Sequence, residues 1–281
     1  MTDSPRPAGA PGMQLRHLRW IAPRLTIVYT LVVVAGTLFF GWPFLIPGAI
    51  AAMLLAVMID GFGRPSSGLF YPTITHGPRD GKKVALTFDD GPDPVVTPAV
   101  LDVLARHGAR ATFFVIGKSL AAQPVLARRI LSEGHVLANH SWQHSHWQNF
   151  HLTRWHNAEL ARCEQAIAEA AGSDARALYR PPVGLKSPEL AHAAWDRGLI
   201  LVAWSVHSRD TFDSDPARIA RRVLGPVRGG DIVLLHDGHH LGGHRPHCAE
   251  AVQLILEGLK GKGLECVTLP ELLELPMGSG T

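Results

Sequence analysis

Two adjacent carboxylates, Asp89 and Asp90, close the apolar run Val84-Ala85-Leu86-Thr87-Phe88 and are followed by Gly91-Pro92. A short β-branched and apolar run that stops at Gly-Pro reads as a buried strand. At a strand's carboxyl end the backbone leaves the sheet, so both side chains can enter one crevice there. Two carboxylates that close repel, and one would hold its proton well above the usual aspartate range. A bound divalent cation removes that conflict. Its further ligands are supplied by His140 and His144 in Asn139-His140-Ser141-Trp142-Gln143-His144. If a helical turn starts there, residues four apart share a side, the spacing a metal wants from two imidazoles. A histidine pair alone means little, and it gains weight from the aspartates. One aspartate and two histidines leave positions open for water, the catalytic rather than the structural arrangement.

Three more strand-like runs end in reactive groups. Arg180-Pro181-Pro182-Val183-Gly184 is a stiff loop whose Val183 N–H could serve as an oxyanion donor; the simpler reading is a plain turn with a surface arginine. Asp210 lies just past the apolar run that ends near Val206, and His236 terminates Ile232-Val233-Leu234-Leu235. A histidine there is either a capped core residue or a general acid.

The elements that must position these groups alternate regularly. Strands are expected at Val84 to Phe88, Ala111 to Ile116, His135 to Asn139, Ala177 to Arg180, Leu199 to Val206, Asp231 to Leu235 and Leu264 to Leu269. Helices between them begin at Thr97-Pro98, Ser187-Pro188 and Asp215-Pro216, a capping side chain followed by proline. About seven βα units imply an α/β fold with a parallel sheet closed, or nearly closed, into a (β/α)7-type barrel, with chemistry at the strands' carboxyl ends.

Upstream, residues 1–24 are rich in Pro and Gly and then basic, and are expected to be disordered and cytoplasmic. From Leu25 to Ile59 there is no charged side chain. That tract, with Asp60, is expected to anchor the protein in the bacterial inner membrane. A single span and a hairpin of Leu25 to Phe40 and Phe44 to Ile59 are the two topologies, and they place the downstream domain on opposite sides. The hairpin is favoured, because one straight helix of the whole tract would be roughly 50 Å long, beyond the hydrocarbon core. Residues 61–82 read as a linker and 83–275 as the catalytic domain.

The 281-residue chain carries a net charge of +3, with basic residues scattered rather than striped, which disfavours nucleic acid. Cys163, Cys248 and Cys266 fit neither a zinc ribbon nor a disulfide framework and read as core thiols. The loop holding His239, His240, His244 and His247 reads as mobile and solvated, with a second metal site as the lesser reading.

Taken together, Thr87-Phe88-Asp89-Asp90-Gly91-Pro92, His140-Ser-x-x-His144, Arg180-x-Pro182-x-Gly184, Asp210 and Leu235-His236 resemble the five ordered motifs of the polysaccharide deacetylase family, the NodB-homology or carbohydrate esterase family 4 domain. The resemblance runs from about Lys83 to Leu269. It implies a distorted barrel and a metal-dependent hydrolase that removes N-acetyl groups from amino sugars. In it Asp90, His140 and His144 hold the metal, with zinc expected first and cobalt, nickel or manganese as alternatives. Asp89 is the general base, His236 the general acid, Arg180 orients the base and Asp210 orients His236. Family members often carry Asp at the position of His207, Trp at Thr211 and Tyr at Val183, so the departures lie along the substrate groove. The expected partner is an N-acetylated or N-formylated glycan, or a lipid-linked amino sugar at the membrane. The alternatives are an O-acetyl esterase and a non-catalytic carbohydrate-binding membrane protein. The sequence leaves the oligomeric state open.

Overall fold

The computed structural model describes residues 30–32, 34–36, 45–171, 177–239 and 244–275. The basic N-terminus, most of the first apolar half, the Gly41-Trp42-Pro43 turn and His240 lie outside the described residues.

Among the described residues nine strands form one sheet: β1 (Thr73–Ile74), β2 (Lys83–Asp89), β3 (Thr112–Val115), β4 (Val136–Asn139), β5 (Leu178–Tyr179), β6 (Ile200–Val202), β7 (Val206–His207), β8 (Ile232–His236) and β9 (Glu265–Val267). Every paired neighbour is parallel, in the order β1-β6-β5-β4-β3-β2-β8-β7, with β9 joining the start of β2. A path with two ends is a half-barrel, so of the expected parallel α/β barrel, closed or nearly closed, the parallel sheet is present and full closure is not. It is nonetheless rolled. β5 and β2 stand three strands apart, roughly 14 Å along a flat sheet, yet Arg180 just after β5 lies 2.7 Å from Asp89 at the end of β2.

Alternation along the strands sorts the core from the site. In β2, Val84, Leu86 and Phe88 pack outward with Phe113 and Val115 of β3 and Val233 and Leu235 of β8. Helices α2 (Val96–Arg106), α4 (Pro124–Ser132), α7 (Pro216–Leu224) and α8 (His247–Gly261) cover that layer through Val100, Leu104, Ile130, Ile219 and Ile255. The intervening positions point inward. Ala85, Phe114, Ala138, Leu178, Val202 and Ile232 meet Leu269 and Leu272 and plug the amino-terminal end of the roll. One further inward step after Ala138 and Leu178 gives His140 and Arg180, and two after Ala85 and Ile232 give Asp89 and His236, which reach the carboxyl end.

Helix starts follow the capping signals at two of three places. Ser187 Oγ accepts from Leu190 N–H at the start of α6 (Pro188–Asp196), and Asp215 accepts from the Ala217 and Arg218 N–H groups ahead of α7. Thr97 instead lies inside α2. Asp93 Oδ1 accepts from Val95 N–H and Val96 N–H at 2.8 Å, which leaves the threonine hydroxyl to turn elsewhere. Further helices among the described residues are α3 (Gly117–Ala122), α5 (Thr153–Ala171) and α9 (Leu269–Leu272). Cys163 and Cys248 are buried free thiols and Cys266 a half-buried one.

The stretch expected as a linker is packed structure. It contributes β1, buries Phe70 and Tyr71, and donates the Tyr71 hydroxyl to Leu199 O at 2.7 Å. Ahead of it runs α1 (Leu45–Gly63), which absorbs Pro47-Gly48 into its first turn, where a proline's missing N–H costs no bond. Met53, Leu55 and Ile59 on α1 are about 60% exposed. No described helix is long and apolar enough to cross a membrane, so the transmembrane segment expected over residues 25–60 is not shown.

Candidate active site

The carboxyl ends of β2, β4, β5, β7 and β8 converge on one cluster. Asp90 Oδ1 lies 3.2 Å from His144 Nε2 and 3.6 Å from His140 Nε2, and the three donor atoms lie within 4.8 Å of one another. All three residues are buried. Tetrahedral ligands about 2.1 Å from a zinc ion are separated by roughly 3.4 Å, so one carboxylate oxygen and two imidazole nitrogens fit such an ion. The Nδ1 of His140 lies 2.7 Å from Arg180 O, which as an acceptor fixes the tautomer and turns the Nε2 lone pair toward Asp90.

The two histidines do not converge by the expected helical turn. Residues 140–147 form a loop, with Ser141 at φ 69° and His144 at φ 54°. Asn139 Oδ1 accepts from Ser141 N–H at 2.8 Å, and Ser141 Oγ accepts from His144 N–H at 3.0 Å. Side-chain-to-backbone bonds of this kind are what let Asn and Ser replace a helix with a tight turn.

Asp89 is held from the opposite side. Arg180 is fully buried, and one guanidinium nitrogen donates to Asp89 Oδ1 at 2.7 Å and to Thr87 Oγ1 at 2.8 Å. Its other nitrogens donate to Val202 O and Ala203 O, and its plane lies over the Phe114 ring at 4.1 Å. The long strand expected over Leu199 to Val206 is broken at Ala203–Ser205. The break leaves the carbonyls of Val202 and Ala203 for Arg180, a demand invisible in an apolar run. Burial pulls the guanidinium below its ordinary value, and the Asp89 charge opposes that. The second oxygen of Asp89 is 3.8 Å from His140 Nε2, so the carboxylate borders the metal position.

His236 is the register partner of Asp89 on the neighbouring strand. Its Nδ1 lies 2.8 Å from Asp210 Oδ1, and its backbone N–H donates to Asp210 Oδ2 at 2.7 Å. Burial alone would lower the imidazole. The Asp210 carboxylate outweighs it, Asp89 and Asp90 add to it, and His236 is raised to about 9. Burial would likewise raise Asp210, but the cationic His236 holds it below 3.8. Ser208 Oγ donates to Asp210 at 2.8 Å, and Arg245 donates to its carbonyl. Val183 has left-handed backbone, φ 58° and ψ 6°, in the short 3-10 turn after Arg180, with its side chain 56% exposed.

Two participants escaped the sequence reading. Asp237 is completely buried beside the Asp89-Asp90-Gly91 turn. A Cβ built on Gly91 would lie 2.4 Å from either Asp237 carboxylate oxygen, so glycine is the residue that lets the carboxyl sit there. Thr97 Oγ1 donates to Asp237 Oδ2 at 2.5 Å and accepts from Asp93 N–H at 2.8 Å, so its oxygen serves the loop before α2 rather than the helix's first turn. Burial pushes Asp237 up to about 7, and Asp90 and Asp89 push it the same way. A polar residue directly after the apolar run ending in His236 was the signal available for it. In the histidine-rich loop, His244 Nδ1 is 2.8 Å from Asp93 Oδ2, and among the described residues the single cluster able to hold a metal is that of Asp90, His140 and His144.

A family model described as polysaccharide deacetylase matches residues 76–202. The peptidoglycan-N-acetylglucosamine deacetylase of Listeria monocytogenes is 33% identical over 235 residues, which cover 82% of this chain and 48% of that protein. The present chain thus spans about half of that relative's length. A chitooligosaccharide deacetylase from a Bradyrhizobium species is 38% identical over 199 residues, covering 68% of this chain and 90% of the relative. Among solved structures, a peptidoglycan N-acetylglucosamine deacetylase superimposes with a TM-score of 0.68 at 32% identity, over 73% of this chain and 94% of that one. With five motifs gathered at one end of a rolled parallel sheet and a 38%-identical relative matched over 90% of its length, the chain belongs to the polysaccharide deacetylase family.

Proposed function

We propose that the protein is a divalent-metal-dependent amidohydrolase that removes the N-acetyl group from an amino sugar of a cell-envelope glycan or a lipid-linked saccharide. The observation that carries this reading is the joint placement of three ligand atoms within 4.8 Å, a base held by Arg180 beside them, and His236 in register with that base. A cation held by Asp90, His140 and His144, with zinc the first candidate, supplies a water of lowered pKa and polarises the amide carbonyl. Asp89 takes the water's proton; Arg180, bonded to its other oxygen, keeps the free oxygen turned toward the site. The Val183 N–H is the chain's own donor to the oxyanion. His236, kept cationic by Asp210, gives its proton to the departing nitrogen, so the C–N bond breaks to acetate and a neutral amine. A neighbouring imidazole, His207, is lowered by burial and by the charge of His236, and so does not compete for that proton.

The same reading places the protein at the bacterial inner membrane through the charge-free tract Leu25 to Ile59. Reporter fusions after Asp60 and after Thr281 give the side on which the domain lies. The chemistry is tested by acetate release from N-acetylglucosamine oligosaccharides with the zinc-loaded protein. Wild type is expected to turn over and Asp89→Asn to retain zinc but lose activity; wild type binding zinc without releasing acetate from any amino-sugar donor sinks the proposal.

A further inference from the structure

We propose that the mouth of the site opens onto a membrane surface and that the substrate is an amino sugar carried by a membrane lipid; this rests on the amidohydrolase reading. The first support is a mechanical link between α1 and the catalytic loop. Lys186, six residues past Arg180, donates its backbone N–H to Phe62 O at 3.2 Å at the end of α1. Its ammonium, almost fully buried, donates to Pro65 O at 2.8 Å, to Ser67 O, and to Thr73 Oγ1 at 3.3 Å. A Cβ on Gly184 would lie 2.7 Å from Pro65 Cγ, so the two loops touch backbone to ring. The end of the apolar helix is therefore fastened to the loop that carries Val183.

That contact continues around the mouth. Gln148 donates to Pro182 O at 3.1 Å and to Leu185 O at 3.3 Å, tying the turn after His144 to the same loop. This turn presents Trp147 at 71% exposure and Phe150 at 80%, ring centroids 5.8 Å apart, with Leu152 at 68% just beyond. Across the site, Phe212 is 88% exposed two residues past Asp210. Single exposed apolar side chains are ordinary, whereas several on the loops framing one site, tied through the 182–186 loop to the end of an apolar helix, mark a surface that water does not normally cover. Exposed Arg154, in the first turn of α5 just past Leu152, and exposed Arg209, on the loop before Asp210, flank these side chains in sequence. Aromatic rings with flanking arginines suit the headgroup boundary of an anionic bilayer.

The occupant follows from the chain itself. The loop of the site is fastened to α1, and α1 belongs to a sequence tract without charge from Leu25 to Ile59, which favours a bilayer over a soluble glycan. A site whose mouth is held at headgroup level meets sugars borne by lipids, not strands of a distant wall.

The test uses the full-length zinc-loaded protein in phosphatidylethanolamine–phosphatidylglycerol vesicles, with two substrates: soluble chitotetraose, and N-acetylglucosamine attached through phosphate to a polyprenol in the vesicle. Wild type is expected to deacetylate the vesicle-borne sugar, and a Trp147→Ser, Phe150→Ser double variant to lose roughly tenfold on it, the effect of withdrawing two partly buried rings. The variant is expected to stay within about twofold of wild type on chitotetraose. Brominated lipids are expected to quench a share of the tryptophan fluorescence that is absent in Trp147→Phe. Hydrolysis of chitotetraose without hydrolysis of the vesicle-borne sugar overturns the proposal and leaves the amidohydrolase reading intact. An equal loss on both substrates also overturns it, because the rings would then be stacking on sugar. No hydrolysis of either removes the amidohydrolase reading itself.

Discussion

His236 and Asp210 meet twice: the imidazole Nδ1 lies 2.8 Å from one carboxylate oxygen, and the His236 backbone N–H reaches the other at 2.7 Å. The carboxylate thereby holds the ring's orientation and favours its charged form, which is what the proposed role as general acid asks of it.

The pH dependence follows with a definite sign. The folded His236 is raised to about 9 from 6.5, so its stabilising contribution is fully present below about 6.5 and is lost as pH rises through about 9. In metal-free protein, NMR titration of the ring is expected to show this value, and Asp210→Asn to bring it down. In the loaded enzyme, Asp210→Asn is expected to move the alkaline limb of kcat to lower pH and to reduce kcat by roughly a hundredfold. An unmoved limb would remove His236 as the acid.

Arg180 sits where a neutral replacement strands a charge. Arg180→Met leaves the buried Asp89 without its cationic partner, and breaking such a pair typically costs about 3–5 kcal/mol. Urea unfolding of the metal-free variant is the measurement. Arg180→Lys keeps a charge but not the fork that reaches Thr87, Asp89, Val202 and Ala203 together, and is expected to fold with strongly reduced kcat.

Metal binding is expected to stabilise the fold by about 2.7 kcal/mol at a hundred times the dissociation constant. Scanning calorimetry with and without zinc reads this out. His144→Ala and Asp90→Ala are expected to abolish the shift in melting temperature, while Asp89→Asn preserves it. A chelator is expected to remove activity from wild type, and added zinc to restore it.

Asp237 gives a second and separable pH signature. Its folded value of about 7 stands above the ordinary 3.8, so the stability it confers is present below about 3.8 and is lost as pH climbs through about 7. Asp237→Asn is expected to flatten the stability profile of the metal-free protein between those limits. Thr97→Val removes the hydroxyl donor and is expected to cost about 1–3 kcal/mol, as for other buried polar groups left unmatched.

What could be read in the sequence was whatever a single segment states about itself. Apolar alternation ending in Asp89, Arg180 or His236 marked strand ends, and parallel strands put strand ends together. Ser187 and Asp215 announced helix starts because the capping bond is local. What escaped depends on partners far along the chain. Thr97 looked like a cap until Asp237 claimed its hydroxyl from 140 residues away. The break at Ala203 exists for the sake of Arg180, and the two-residue β1 is strand only because β6 lies beside it. Whether the barrel closes stayed open in the sequence, since counting βα units says nothing of whether the first and last strands meet.

Asp90, Ser141, His144, Val183 and Arg209 all take left-handed backbone, and all lie on the loops that frame the site. Each such non-glycine residue costs of order 1–3 kcal/mol, most for a β-branched side chain such as Val183. Heating should therefore disorder this rim before the sheet gives way. The enzyme's working life at elevated temperature is then set by a handful of turns rather than by its core, and glycine or asparagine at Arg209 is where a longer-lived version would begin.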